Sequence, residues 1–157
     1  MTTTDSLRPA SAAADSPETV RVWLRFVRLQ QRLSNGIAAE LRALGLSIPQ
    51  FDVLSTLTER EGITQGDLAQ RLYVTKGNVS GLIDRLVEAG LVERRAIPGD
   101  RRSHALHLTD RGAKAAQAGI AAQRAFVART LGRLPAEDVA ELDRILRAWR
   151  DVVRETV

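Results

Sequence analysis

Cysteine is absent from the 157 residues, methionine occurs once, and only two histidines are present. A disulfide, a thiolate metal site or a cysteine redox switch is therefore excluded, while a reducing compartment is merely allowed. His104 and His107 stand three apart, and on an extended strand such residues point to opposite faces, so they cannot chelate one metal together. The carboxylates are scattered along helical stretches, and neither histidine has a partner evident in sequence. No acid–base or nucleophilic set is legible, so no catalytic residues, metal or cofactor are expected and the enzyme class is set aside. Long apolar runs are also missing; none approaches the ~18–20 residues that a membrane span needs. Residues 1–15 are rich in Thr, Ala and Ser without an apolar segment. They read as a disordered tail and not as a secretory signal, consistent with a cytoplasmic protein.

What is there is charge in one place. The net charge is +4, and from Arg85 to Lys114 seven basic residues face four acidic ones. Most of the excess thus sits in about a fifth of the chain, a distribution that suits a polyanion such as double-stranded DNA.

That region belongs to a stretch, Ile63 to Thr109, with a recognisable order of elements. Thr64 is placed to cap a short helix carrying Leu68, Ala69 and Leu72. After a break at Tyr73-Val74, Thr75 is placed to cap a second helix. Val79, Leu82, Ile83, Leu86 and Val87 form one stripe along it, and Gly90 stops it. Its other face carries Lys76, Asn78, Ser80, Gly81, Asp84 and Arg85. Strand-like segments Leu91–Ile97 and Ser103–Leu108 follow, separated by Pro98-Gly99 and by the charged residues Asp100, Arg101 and Arg102. A helix-turn-helix followed at once by a basic hairpin is a winged helix-turn-helix, whose second helix can enter a DNA major groove.

Residue chemistry fits this use. Asn78 can pair with adenine, Lys76 can reach guanine or a phosphate, Ser80 can bond to either, and Thr75 lies at the same helix end. Arg85, one turn on, either touches a phosphate or pairs with Asp84 or Glu88. Arg101 and Arg102 suit the negative potential of a narrow minor groove. Asp100 would repel a phosphate, so it is expected to hold a neighbouring arginine in position.

The pieces "LAQRL", "VTKGNVSGLIDRL" and "AGLVER", and a D-x-R followed by L-x-L-T (Asp100, Arg102, Leu106, Leu108, Thr109), closely resemble the MarR family of regulators. The resemblance extends over residues 17–157. It implies that Arg102 is the wing residue reaching the minor groove, and that a small aromatic effector can bind between dimer helices and reader. Trp23, Phe26, Phe51 and Asp52 are candidates to line that ligand pocket. Gly81 departs from relatives that carry a long polar residue nearby, which shifts weight to Lys76, Asn78 and the wing. Leu82 stands where a urate-binding branch has arginine, so urate is not expected.

The flanks complete the expectation. Ser16-Pro17-Glu18 opens a helix to about Leu44, apolar on more than one face. Ser47 to Gln50 reads as a capping box for a scaffold helix bearing Phe51, Leu54 and Leu57. Thr109-Asp110 starts an alanine-rich helix to about Leu131, broken at Gly132. A last helix carries Val139, Leu142, Ile145, Leu146, Trp149, Val152 and Val153 on one stripe. The predicted fold is mainly α with a small β-hairpin wing, residues 17–157 forming a single domain. Within it, residues 47–109 form the winged DNA-binding region, and residues 17–45 with 110–157 form dimerisation helices. The function expected is a homodimeric regulator, most simply a ligand-responsive repressor on a pseudo-palindromic operator. The alternatives are a non-specific architectural DNA binder and a winged-helix protein-interaction module.

Overall fold

The computed structural model describes residues 16–72 and 76–156, the Lys76 side chain excepted. The expected N-terminal tail and the Thr75 cap lie outside the described residues. Among the described residues the α-helices are α1 (Pro17–Ala43), α2 (Ile48–Glu59), α3 (Gln65–Leu72), α4 (Lys76–Glu88), α5 (Asp110–Arg129) and α6 (Ala136–Thr156). Two strands, β1 (Val92–Ile97) and β2 (Asp100–Leu108), form an antiparallel hairpin between α4 and α5. By its contacts the chain divides into two units, Met1–Gly36 and Ile37–Val157.

In the first unit, α1 begins as its sequence predicts. The Thr19 amide donates to Ser16 Oγ at 3.2 Å, and Pro17 occupies the first helical position, where its missing N–H costs nothing. Val20, Val22, Trp23, Leu24, Phe26, Val27 and Leu29 are all exposed on it.

The second unit owns the core. Ser47 closes the predicted capping box: its Oγ accepts from the Gln50 amide, and Gln50 Oε1 accepts from the Ser47 amide at 2.9 Å. Leu41, Leu54, Leu57, Leu68, Val79, Ile83, Leu86, Val92 and Leu106 are fully buried and draw α2, α3, α4 and the hairpin around one cluster. Each such side chain contributes about 1.5–3 kcal/mol over remaining in water. Gly119 of α5 admits the Phe51 ring, which would stand 2.5 Å from a Cβ at that position.

Helix α5 ends within two residues of the expected position. It stops at Arg129, and Thr130 (φ −114°, ψ −91°) turns its hydroxyl back to the Phe126 carbonyl at 2.7 Å. Gly132, the expected breaker, lies inside a short 3-10 turn, Leu131–Arg133. The exit is thus made by a hydroxyl that satisfies a carbonyl of the last turn, a local bond that competes with continuing the helix. Helix α6 has no buried residue; Leu142, Ile145, Leu146, Val152 and Val153 are 37–58% exposed.

Candidate nucleic-acid interface

Helix α4 is anchored by its inner stripe. Val79, Ile83 and Leu86 are fully buried and Leu82 nearly so, which directs Asn78, Gly81, Asp84 and Arg85 outward, with Ser80 half-buried beside them. A Cβ at Gly81 would meet nothing within 4 Å. The helix closes on Gly90 (φ +71°), with the Gly90 amide bonded to the Val87 carbonyl and the Leu91 amide to the Leu86 carbonyl, both at 2.9 Å. This is the double bond of a Schellman stop. It turns the chain directly into β1.

Thr109 then fastens both ends of the hairpin. Its Oγ1 donates to the Gly90 carbonyl at 2.6 Å and accepts from the Gly112 amide at 3.0 Å, capping α5, while its amide donates to the Leu91 carbonyl at 3.1 Å. At the base of α3, Thr64 is the predicted cap, accepting from the Asp67 amide at 3.1 Å and donating to its carboxylate. Thr64 also bridges Ala105 of β2, and the Leu106 amide donates to the Ile63 carbonyl. The wing is therefore stitched to the segment leading into α3. His107 lies with Nδ1 3.3 Å from Glu61 Oε1 on the same seam.

The wing tip departs from a regular ladder. Ala96 pairs with His104, but the next β1 residue, Ile97, pairs with Asp100. Arg101, Arg102 and Ser103 are left bulging without partners in β1. Gly99 (φ +84°) supplies the left-handed position of the Pro98-Gly99 turn. The Asp100 carboxylate accepts from the Arg102 amide at 2.9 Å and the Ser103 amide at 3.2 Å. Those bonds, the Arg102 amide foremost, hold its carboxyl below the ordinary carboxylate range. Asp100 was expected to hold a neighbouring arginine in position; the contacts seen are with main chain, at the Arg102 and Ser103 amides that lost their ladder partners. Arg101 and Arg102 are exposed and, among the described residues, belong to no ion pair.

At Arg85 the structure shows, among the described residues, neither of the two expected side-chain pairings. Asp84 is taken by Arg94 of β1, whose Nη2 lies 2.5 Å from Asp84 Oδ1 and whose Nε donates to Gln65 Oε1 of α3 at 2.9 Å. Arg85 is left exposed and, among the described residues, outside any ion pair. Sequence reasoning missed Arg94 and Gln65 because their partners lie 10 and 29 residues away. It also missed a polar recess of about 430 Å³ where Gln65, Gly66 and Gln70 of α3 face Arg102, Ser103 and His104 of the wing. The signal available was the polar outer face of α3 opposite Leu68 and Ala69.

The candidate ligand residues are spread over both units. Trp23 and Phe26 are 52% and 41% exposed on α1. Phe51 is buried, its ring spent on packing against Gly119. Asp52 is solvent-accessible, yet partial burial raises its carboxyl above the ordinary range.

Comparison with known proteins agrees with this geometry. Residues 44–103 match the MarR family. The HTH-type transcriptional repressor Rv2887 of Mycobacterium tuberculosis is 36% identical over 110 residues, covering 70% of this chain and 79% of that protein. Among solved structures, AbsC, a MarR family transcriptional regulator from Streptomyces coelicolor, superposes with a TM-score of 0.82 at 26% identity, over 89% of this chain and 97% of that one. A mutant MarR from E. coli complexed with operator DNA superposes with a TM-score of 0.75 at 27% identity, over 83% and 94%. No helix among the described residues is long and apolar enough to cross a membrane. A winged reader with free cations at its tip, together with these similarities, makes the chain a member of the MarR family of DNA-binding transcription regulators and not an enzyme.

Proposed function

We propose that the protein is a cytoplasmic homodimeric repressor that occupies a pseudo-palindromic operator and is released by a small aromatic ligand. The observation that carries the DNA half is the Asp100-pinned bulge, which presents Arg101 and Arg102 to solvent beside a helix whose outward face is polar. Lys76, Asn78 and Ser80 at the start of α4, with Thr75 before it, read base edges. Arg85 takes a phosphate, and Arg102 enters the minor groove with Arg101 beside it. The naming of Rv2887 as a repressor and the operator complex of the E. coli protein support this reading. The apolar stripe of α6 supports the dimer, since a stripe of this size left in water is a surface awaiting a partner. Two copies of one reader on a two-fold axis then call for an operator with matching half-sites. The exposed Trp23 and Phe26 rings support an aromatic class of effector.

The test is a footprint on the promoters flanking the gene, read across a salt series. A repressor protects one short site with two related halves, and its affinity falls steeply with salt. Protection without sequence preference would favour an architectural role. Absence of salt-dependent binding would leave a protein-interaction module.

A further inference from the structure

Arg94 joins three parts of the reader at once. It is rooted in β1 of the wing, its Nη2 meets Asp84 on the outward side of α4, and its Nε meets Gln65 in the first turn of α3. Its side chain is 27% exposed and that of Asp84 is 62% exposed. An ion pair so open to water adds little to stability. What the arrangement fixes is direction. A planar guanidinium donating along two different N–H vectors constrains both partners in angle as well as distance, which an ammonium does not.

We infer that Arg94 is a positioning residue for DNA recognition, locking recognition helix to wing so that both grooves are met in one register. This rests on the operator-binding reading above and adds to it. The wing and α4 engage different grooves, so an error in their mutual angle lets either one bind but not both. The result is loss of discrimination with retained backbone affinity, since phosphate contacts carry no sequence information. Asp84, an acid on the face offered to DNA, gains a reason for being there.

The experiment uses the full chain and the variants Arg94→Lys, Arg94→Gln, Asp84→Asn and the double variant Arg94→Lys/Asp84→Asn. Binding to operator and to a scrambled duplex is titrated across a salt series, alongside thermal melting and amide hydrogen exchange without DNA. The expected result is an operator preference reduced about tenfold in each single variant, with melting little changed. The double variant should be no worse than the worse single, because both act through one contact. Exchange should rise together in α4 and in the hairpin. Tighter binding by Asp84→Asn, or a salt slope lower by about one unit in Arg94→Gln, would make Arg94 a phosphate ligand and overturn the inference. Unchanged exchange in α4 and the hairpin would overturn it as well. Should the wild-type protein itself show no operator preference, the DNA reading fails, and the exchange comparison still decides whether Arg94 couples helix to wing.

Discussion

Gly112 lies so close under the Leu91 carbonyl that a Cβ on it would stand 1.8 Å from the oxygen. The atom it would strike is main chain at the exit of α4, itself held by the Thr109 amide. Relief therefore requires the whole start of α5 to move. Gly112→Ala is expected to destabilise the fold by about 1–3 kcal/mol, the usual cost of overpacking, or more. Urea denaturation measures it, and a wild-type midpoint would show that this junction yields freely.

Gly81 is the opposite case. It sits inside α4 with open space where a Cβ would go. Gly81→Ala should stabilise the protein by about 0.5–1 kcal/mol, because alanine gives up less backbone freedom on folding. Operator affinity should nonetheless fall, since the new methyl stands on the face assigned to the groove. If melting temperature and affinity rise together, that face does not meet DNA.

How much of this was legible beforehand follows from sequence distance. The caps at Ser16, Ser47, Thr64 and Thr109 were readable because each acts within three residues of itself. So were the inner stripe of α4 and the hairpin, whose patterns are local periodicities. The end of α5 was legible to within two residues, the chain leaving the helix at Thr130 just before Gly132. That Asp100 holds the Arg102 and Ser103 amides was not legible, because the bulge that frees them depends on the pairing of the two strands. The seat of the Phe51 ring against Gly119 was not legible, because the two lie 68 residues apart. The Arg94 bridge needed three elements in place and could not be read from any one of them.

At the wing, Arg102→Ala should leave folding intact, because the side chain is exposed and, among the described residues, in no ion pair. Operator binding should weaken, and the salt slope should drop by about one unit per subunit. An unchanged slope would remove Arg102 from the phosphates and the minor groove.

Asp100→Ala adds a unit of positive charge to the same tip, yet it is expected to weaken binding. The Arg102 and Ser103 amides lose their acceptor and the bulge loses its shape. The acid's carboxyl is depressed from the ordinary value of 3.8, so its support of the tip is fully present above that pH. That support is lost only as pH falls through the lower folded value. In a pH titration by NMR, the Arg102 amide resonance should stay put from neutrality down to the ordinary value and shift only below it. Tighter operator binding by Asp100→Ala at every salt concentration would dismiss the orienting role.

Ile145→Asp places a carboxylate in the middle of the α6 stripe. Burying it unpaired in a subunit interface is costly, so the variant should sediment as a monomer with its helical content preserved. A dimer of undiminished affinity would move the interface away from α6.

The bulge at the wing tip bears on how such a regulator changes over generations. Arg101, Arg102 and Ser103 have no partners across the hairpin. Substitutions there are not answerable to strand register, inward packing or the alternation that constrains residues 104–108. If the tip meets DNA as proposed, side chains there can change without disturbing the pairing of the two strands, and the Asp100 bonds with the Pro98-Gly99 turn are the frame on which that latitude rests.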